Sequence, residues 1–168
     1  FVKNVEAEYG LNNIIRLKPD SKIINNIDSK GNLWQLNPNR CCWARKVEPL
    51  DRYLRENSFR LIFTGRRYYQ TPERSNLEKI EMDEKGIIKV NPLAFWSKNK
   101  VIREFNNRKL IQHPLVKEGY QSIGCSTCTV IASPGENYRS GRWAHTATDD
   151  HKQKTECGIY LNNAEKSI

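Results

Sequence analysis

Five cysteines arranged as two close pairs and a singleton constrain this chain more tightly than any hydrophobic pattern in it. Cys41 and Cys42 are adjacent, and Cys125 and Cys128 form a C-x-x-C pair directly after Gly124. Cys157 stands alone in Lys154-Thr155-Glu156-Cys157-Gly158. The two pairs read as ligands and the fifth sulfur as a reactive thiol. About half of the chain separates the pairs, so a shared metal centre would bring the segment around Cys125 back onto the segment that carries Cys41.

Taken alone, C-x-x-C serves structural zinc, an iron–sulfur cluster or a redox dithiol. The adjacent pair shifts the balance. Zinc ligands usually stand about two to four residues apart, because neighbouring side chains diverge and rarely meet on one tetrahedral ion. A four-iron cluster offers separate corners to diverging neighbours and takes four thiolates, the number available here. The expectation is a [4Fe-4S] cluster held by Cys41, Cys42, Cys125 and Cys128, with structural zinc as the alternative.

The 168 residues suit one domain, and no apolar run approaches the about 20 residues of a membrane span. The opening Phe1-Val2-Lys3-Asn4-Val5-Glu6 is charged, unlike an export signal. A cytoplasmic location is therefore expected, where cysteines serve ligation or catalysis rather than a disulfide framework. Because residue 1 is Phe, the sequence reads as a processed chain or a fragment.

A net charge of +9 asks for anionic partners. The arginines fall in short groups, Arg66-Arg67 with Arg74 and Arg139 with Arg142, rather than along one helix. Guanidinium forks of that kind suit a phosphate or sulfate on a small ligand. The rival from another class is a zinc-stabilised basic module that binds RNA or DNA. It fits the charge and the C-x-x-C pair but has no use for Cys157.

Along the chain, a helix over residues 2–9 ends at Gly10, and Asn13 to Leu17 reads as a short buried strand. Asp20 or Ser21 caps a helix to about Asp28. Arg40 to Val47 reads as a helix entered from Asn37 or Asn39, with Pro49 restarting or kinking it. Phe59 to Phe63 is a strand whose carboxyl end delivers Arg66, Arg67, Gln70, Thr71 and Arg74, the place where open α/β sheets collect ligands. Glu78 to Met82 and Ile87 to Val90 form a hairpin, and Ser97 caps a helix whose Val101, Ile102 and Phe105 face the core. Beyond Gln112 regular patterns fade, and a bound metal would staple that loop-rich segment. Trp43, Trp96 and Trp143 read as its packing, and His113 before Pro114 as structural.

With these residues in place, the sequence resembles the thioredoxin-dependent assimilatory sulfonucleotide reductases, which reduce adenylyl sulfate or phosphoadenylyl sulfate. The matching stretches run in family order across nearly the whole chain. They are Cys41-Cys42-x-x-Arg45-Lys46-Val47-Glu48-Pro49-Leu50, Thr64-Gly65-x-Arg67 with Gln70 and Arg74, and Asn91-Pro92-Leu93-Ala94 with Trp96-Ser97. His113-Pro114-Leu115 follows, then Ser122-Ile123-Gly124-Cys125-x-x-Cys128-Thr129, Arg139-x-Gly141-Arg142-Trp143 and Lys154-Thr155-Glu156-Cys157-Gly158. Tyr160 stands where the family usually has histidine, Tyr69 where it has an acidic residue, and the family's serine- and glycine-rich front portion is absent.

The resemblance implies an α/β, adenine-nucleotide-hydrolase-like three-layer sandwich, incomplete at its N-terminus. Residues 1–145 would belong to the nucleotide-binding reductase domain with its cluster ligands, and 146–168 would form a flexible tail carrying Cys157. It implies that Cys157 attacks the sulfate sulfur and becomes S-sulfonated, with AMP leaving and thioredoxin or glutaredoxin releasing sulfite. Lys46, Arg67, Arg74, Arg139 and Arg142 would bind the nucleotide and its anionic groups. Cluster ligands point to adenylyl sulfate over its 3′-phosphorylated counterpart.

Overall fold

The structure, a computed structural model, describes residues 1–133, 135–145 and 154–159. Tyr160 and most of the proposed 146–168 tail lie outside the described residues. The N-terminal half is a string of short helices: α1 (Val2–Glu8), α2 (Ser21–Ile27), α3 (Leu33–Leu36), α4 (Pro38–Cys42) and α5 (Glu48–Glu56). Strand β1 (Leu61–Phe63), the hairpin β2 (Ile80–Met82) and β3 (Ile88–Val90), and helix α6 (Lys98–Asn107) follow.

Local chemistry explains most of these starts. The Asp20 carboxylate accepts the Lys22 and Ile23 amides at the head of α2, and Ser97 Oγ accepts Lys100 N at the head of α6. Asn37 Oδ1 accepts Arg40 N, and Pro38 supplies the fixed φ favoured at a first helical position. Between α4 and α5 the helix widens into a π turn, Trp43–Val47, so the Glu48 amide donates to the Trp43 carbonyl. Pro49, next in line, has no N–H to continue the ladder. The expected kink is this π turn, and the helix runs on through it.

The sheet has the order β1-β3-β2, with β1 parallel to β3 and β3 antiparallel to β2. Its register lines up Leu61, Ile88 and Met82, and then Phe63, Val90 and Ile80. Among the described residues that apolar face is the open one: Phe63, Ile80 and Met82 are 72%, 66% and 74% exposed. The opposite face turns Lys89 inward against Asp83, 3.1 Å away, while Glu81 pairs with Arg66. Asn91, fully buried, donates to Glu78 O and Glu81 Oε2 and accepts the Thr64 hydroxyl.

Three sequence expectations fail. Residues 13–17 form no strand, and Ile14 and Ile15 are exposed, because no neighbouring strand among the described residues supplies ladder partners. Helix α6 buries none of its residues, and Ile102 is 48% exposed, so an apolar stripe there has no core beneath it among the described residues. Trp43 is exposed on the outer side of the π turn, whereas Trp143 is 1% exposed. His113 is structural as expected: its Nδ1 accepts Leu115 N and caps the 3₁₀ turn Pro114–Val116.

Candidate active site

Cys41 and Cys42 end α4, where adjacent side chains point about 100° apart around the axis. Cys42 is buried, while Cys41 is half-buried beside Arg45, whose Nη1 lies 3.7 Å from its sulfur. Arg45 is anchored by Asp28 at 2.6 Å, and the other Asp28 oxygen accepts Leu33 N at 2.9 Å. One buried carboxylate thus ties α3 to the arginine that flanks Cys41.

The second pair sits on the 3₁₀ turn Ser126–Cys128, closed by Cys128 N donating to Cys125 O at 3.0 Å. Thr129 Oγ1 accepts Gly124 N and donates to Cys125 O, locking the loop from inside. A bridge between Thr129 and Arg142 brings back the 139–143 segment, and Trp143 N donates to Cys128 O at 2.9 Å. Gly141 is needed at this crossing, since a Cβ there would fall 2.1 Å from Val130 O. Trp143 adopts a left-handed backbone with φ 56°, a cost of about 1–2 kcal/mol for a non-glycine residue, offset by near-complete burial.

The tertiary fold unites the two pairs. Cys41, Cys42, Cys125 and Cys128 border one cavity of about 180 Å³, joined there by Lys46, Arg45, Trp34 and Trp143. That space is several times the about 30 Å³ share of a liquid water. Among the described residues, no three His, Cys, Asp or Glu side chains converge closely enough to hold one metal ion. Four thiol sulfurs bordering one cavity are a donor set of the chemical kind that metal centres take. Burial raises the Cys41 and Cys42 thiols above their ordinary value, against the opposing pull of Arg45 on the first and of Lys154 and Lys46 on the second. Burial pulls the Lys46 ammonium down, yet the sulfurs of Cys125 and Cys42 outweigh it and hold Lys46 above its usual value.

Cys157 packs against the buried cluster of Cys42, Cys128 and Trp143. The residues before it are pinned one after another. Lys154 Nζ donates to Asn39 Oδ1, and Thr155 Oγ1 donates to Glu73 Oε1 at 2.8 Å. The Thr155 carbonyl accepts two bonds from Arg139, at 2.9 and 3.3 Å. Glu156 accepts two bonds from Arg74, Nε to Oε1 at 2.5 Å and Nη2 to Oε2 at 2.9 Å. Gly158 then turns with φ 85° over Val47.

The five basic residues selected from the sequence fall into three places. Lys46 lines the cysteine cavity. Arg139 and Arg142 lie 5.5 and 4.4 Å from the Trp143 ring, with Lys154 at 5.6 Å from the same ring. Burial lowers the Arg139 pKa, and Arg142 and Arg74 add to that effect against Glu156. Arg67 stands apart, over the Tyr69 ring at 5.6 Å, but Gln70 Oε1 accepts both Arg67 N and Arg74 Nη1 and so links it to the cluster. The Nε atoms of Arg67 and Arg142 are buried without a hydrogen-bond partner among the described residues. Sequence reasoning missed Asn39, Thr71 and Glu73 as part of the seat of the tail and Glu156 as its anchor, because nothing in local spacing links positions so far apart.

Comparison with known proteins identifies the family. Residues 1–131 match the family model of the phosphoadenosine phosphosulfate reductase domain. The chain is 43% identical over 162 residues to adenosine 5'-phosphosulfate reductase of Mesorhizobium japonicum, covering 96% of this chain and 60% of that protein. It is 38% identical over 161 residues to adenosine 5'-phosphosulfate reductase 1 of Bacillus subtilis, covering 95% and 66%. The chain thus spans about 60% of the length of the curated relatives it matches. A crystal structure of phosphoadenylyl-sulfate reductase from Candida auris, a phosphate complex, superposes with a TM-score of 0.63 at 30% identity, covering 77% of this chain and 63% of that one. The family match speaks against the zinc-stabilised nucleic-acid module, whose support is confined to the net charge and the C-x-x-C pair. A mixed α/β chain with a small three-stranded sheet, four cysteines around one cavity and a fifth beside them, it belongs to the phosphoadenosine phosphosulfate reductase family.

Proposed function

We propose that the protein containing this chain reduces adenylyl sulfate to sulfite and AMP, with phosphoadenylyl sulfate as the alternative substrate. The observation that carries the reading is the seat of Cys157, packed on Cys42, Cys128 and Trp143 and within the charge influence of Lys46, Lys154 and Arg139. A nucleophilic sulfur there meets a cluster of cations suited to a dispersed anion. The Cys157 thiolate attacks the sulfate sulfur, the bond from that sulfur to the phosphate oxygen breaks, and AMP leaves with the electron pair. A thiol of a thioredoxin- or glutaredoxin-type reductant then attacks Cys157 Sγ, and sulfite leaves with the electron pair; the reductant's second thiol breaks the resulting mixed disulfide, closing the reductant's own disulfide and releasing Cys157 as thiolate.

Lys46, Arg67, Arg74, Arg139 and Arg142 are proposed to neutralise the nucleotide's anionic groups. The partnerless Nε atoms of Arg67 and Arg142 support donors held open for them. Cys41, Cys42, Cys125 and Cys128 would hold a [4Fe-4S] cluster. When bound, the cluster supplies a charged anchor that staples the 122–130 loop to α4. Lys46 lies on that cavity and would carry its charge between cluster and substrate. The adenine-nucleotide-hydrolase-like sandwich, the division at 145/146, a cytoplasmic location and a role in sulfate assimilation belong to the same proposal; no described helix is long and apolar enough to cross a membrane.

The test is iron and sulfide analysis of anaerobically purified full-length protein, alongside turnover assays with adenylyl sulfate and phosphoadenylyl sulfate. The proposal expects about four irons and four sulfides per chain, faster turnover with adenylyl sulfate, and a Cys157 S-sulfonate visible by mass spectrometry. Retained sulfite release in Cys157→Ser would refute the assignment of the nucleophile.

A further inference from the structure

The side chain immediately before the thiol carries a negative charge, which at first sight works against a nucleophile awaiting an anion. The structure removes that objection. Glu156 is 5% exposed, and each of its oxygens is taken up. Oε1 accepts Arg74 Nε at 2.5 Å and Thr71 Oγ1 at 3.2 Å. Oε2 accepts Arg74 Nη2 at 2.9 Å, with Arg139 Nη2 at 3.8 Å. Arg74 is in turn held by Gln70, and Arg139 also grips the Thr155 carbonyl.

We infer that Glu156 is the positioning residue for Cys157: Arg74, Thr71 and Arg139 form a carboxylate socket that captures it and thereby presents the thiol to the site. The inference rests on the proposed role of Cys157 and adds how that sulfur is delivered. A two-pronged guanidinium–carboxylate pair fixes orientation as well as distance, which a lone hydrophobic contact does not. One peptide unit separates Glu156 from Cys157, so fixing the carboxylate fixes where the next side chain emerges. The pairs on Lys154 and Thr155 add hold, but each is a single side-chain contact. Arg74 thereby serves the tail in the docked state, and Glu156 cancels its charge beside the thiol.

The test uses the full-length, metal-loaded protein under anaerobic conditions. Glu156→Ala, Arg74→Ala, their double variant and the conservative Glu156→Gln are compared. One readout is the rate at which iodoacetamide alkylates Cys157, followed by mass spectrometry of its peptide; another is hydrogen exchange of residues 154–159. A third is the split between kcat and KM. Loss of a charge-assisted pair predicts alkylation and exchange at least about tenfold faster in both single alanine variants. The double variant should be no faster than either single one, and Glu156→Gln should fall in between. In Glu156→Ala turnover should drop through kcat with KM nearly unchanged, whereas Arg74→Ala, which also removes a proposed anion-binding group, should raise KM as well. Wild-type alkylation and exchange in Glu156→Ala would overturn the inference, as would additive effects in the double variant or a change confined to KM. Alkylation and exchange need no turnover, so absence of sulfonucleotide reduction would sink the functional reading while these two still decide the socket.

Discussion

The Cα of Gly124 lies flat against the guanidinium of Arg142: a methyl group on Gly124 would fall 2.1 Å from Nη2 and 2.2 Å from Cζ. The residue before the C-x-x-C pair is thus small because an arginine from a distant segment packs over it. That arginine is 6% exposed, donates to Ile123 O at 3.2 Å and lies on the Trp143 ring. The C-x-x-C loop and the proposed anion site are fitted to each other at this contact.

Gly124→Ala should therefore displace Arg142. We expect a stability loss of about 1–3 kcal/mol from overpacking and a raised KM for the sulfonucleotide. Gly141→Ala meets a backbone carbonyl, Val130 O, which cannot swing aside as a side chain can. It should lower the melting temperature more than Gly124→Ala does. Thermal melts and steady-state kinetics of the two variants check the contrast.

Serine at Cys42 or Cys128, the buried members of the two pairs, should abolish iron binding, and serine at the exposed Cys125 should bleach the chromophore as well. Chelating the metal from the wild-type protein should raise hydrogen exchange in residues 41–47 and 122–130 together, since a shared ligand would couple the two segments. Exchange confined to one segment would argue that the four sulfurs do not share a group.

Trp143 joins the cysteine cluster to Arg139, Arg142 and Lys154 while holding a left-handed backbone. Trp143→Ala should cost about 3–5 kcal/mol, as for other buried large-to-small aromatic changes. Denaturant unfolding gives that number directly. A loss under 1 kcal/mol would mean the ring is not the keystone of the segment.

Acid should loosen the β2–β3 hairpin. Burial raises the Asp83 carboxyl, but the Ile87 amide, the Lys89 ammonium and the Lys85 amide outweigh it and hold the pKa below the usual carboxylate range. A carboxyl with a lower pKa folded than unfolded adds stability above the unfolded value of about 3.9, and that stability is lost as pH falls through the folded value. Asp83→Asn should melt at lower temperature near neutral pH and converge with wild type at strongly acidic pH. Parallel melting curves across the acid range would exclude this role for Asp83.

The sequence alone determined the starts of α2, α4 and α6 and the hairpin, because capping side chains and β-branched alternation act over a few residues. Asp20, Asn37 and Ser97 each cap the helix that follows within three residues, and Asp83 closes its own turn. Only the tertiary structure decided that residues 13–17 stay open, that α6 buries no stripe, and that Trp143 rather than Trp43 is enclosed. It alone placed Glu156 on Arg74 and Arg142 on Gly124. Burial and long-range ion pairs depend on which surfaces meet when the chain returns on itself, and local sequence carries no record of that meeting.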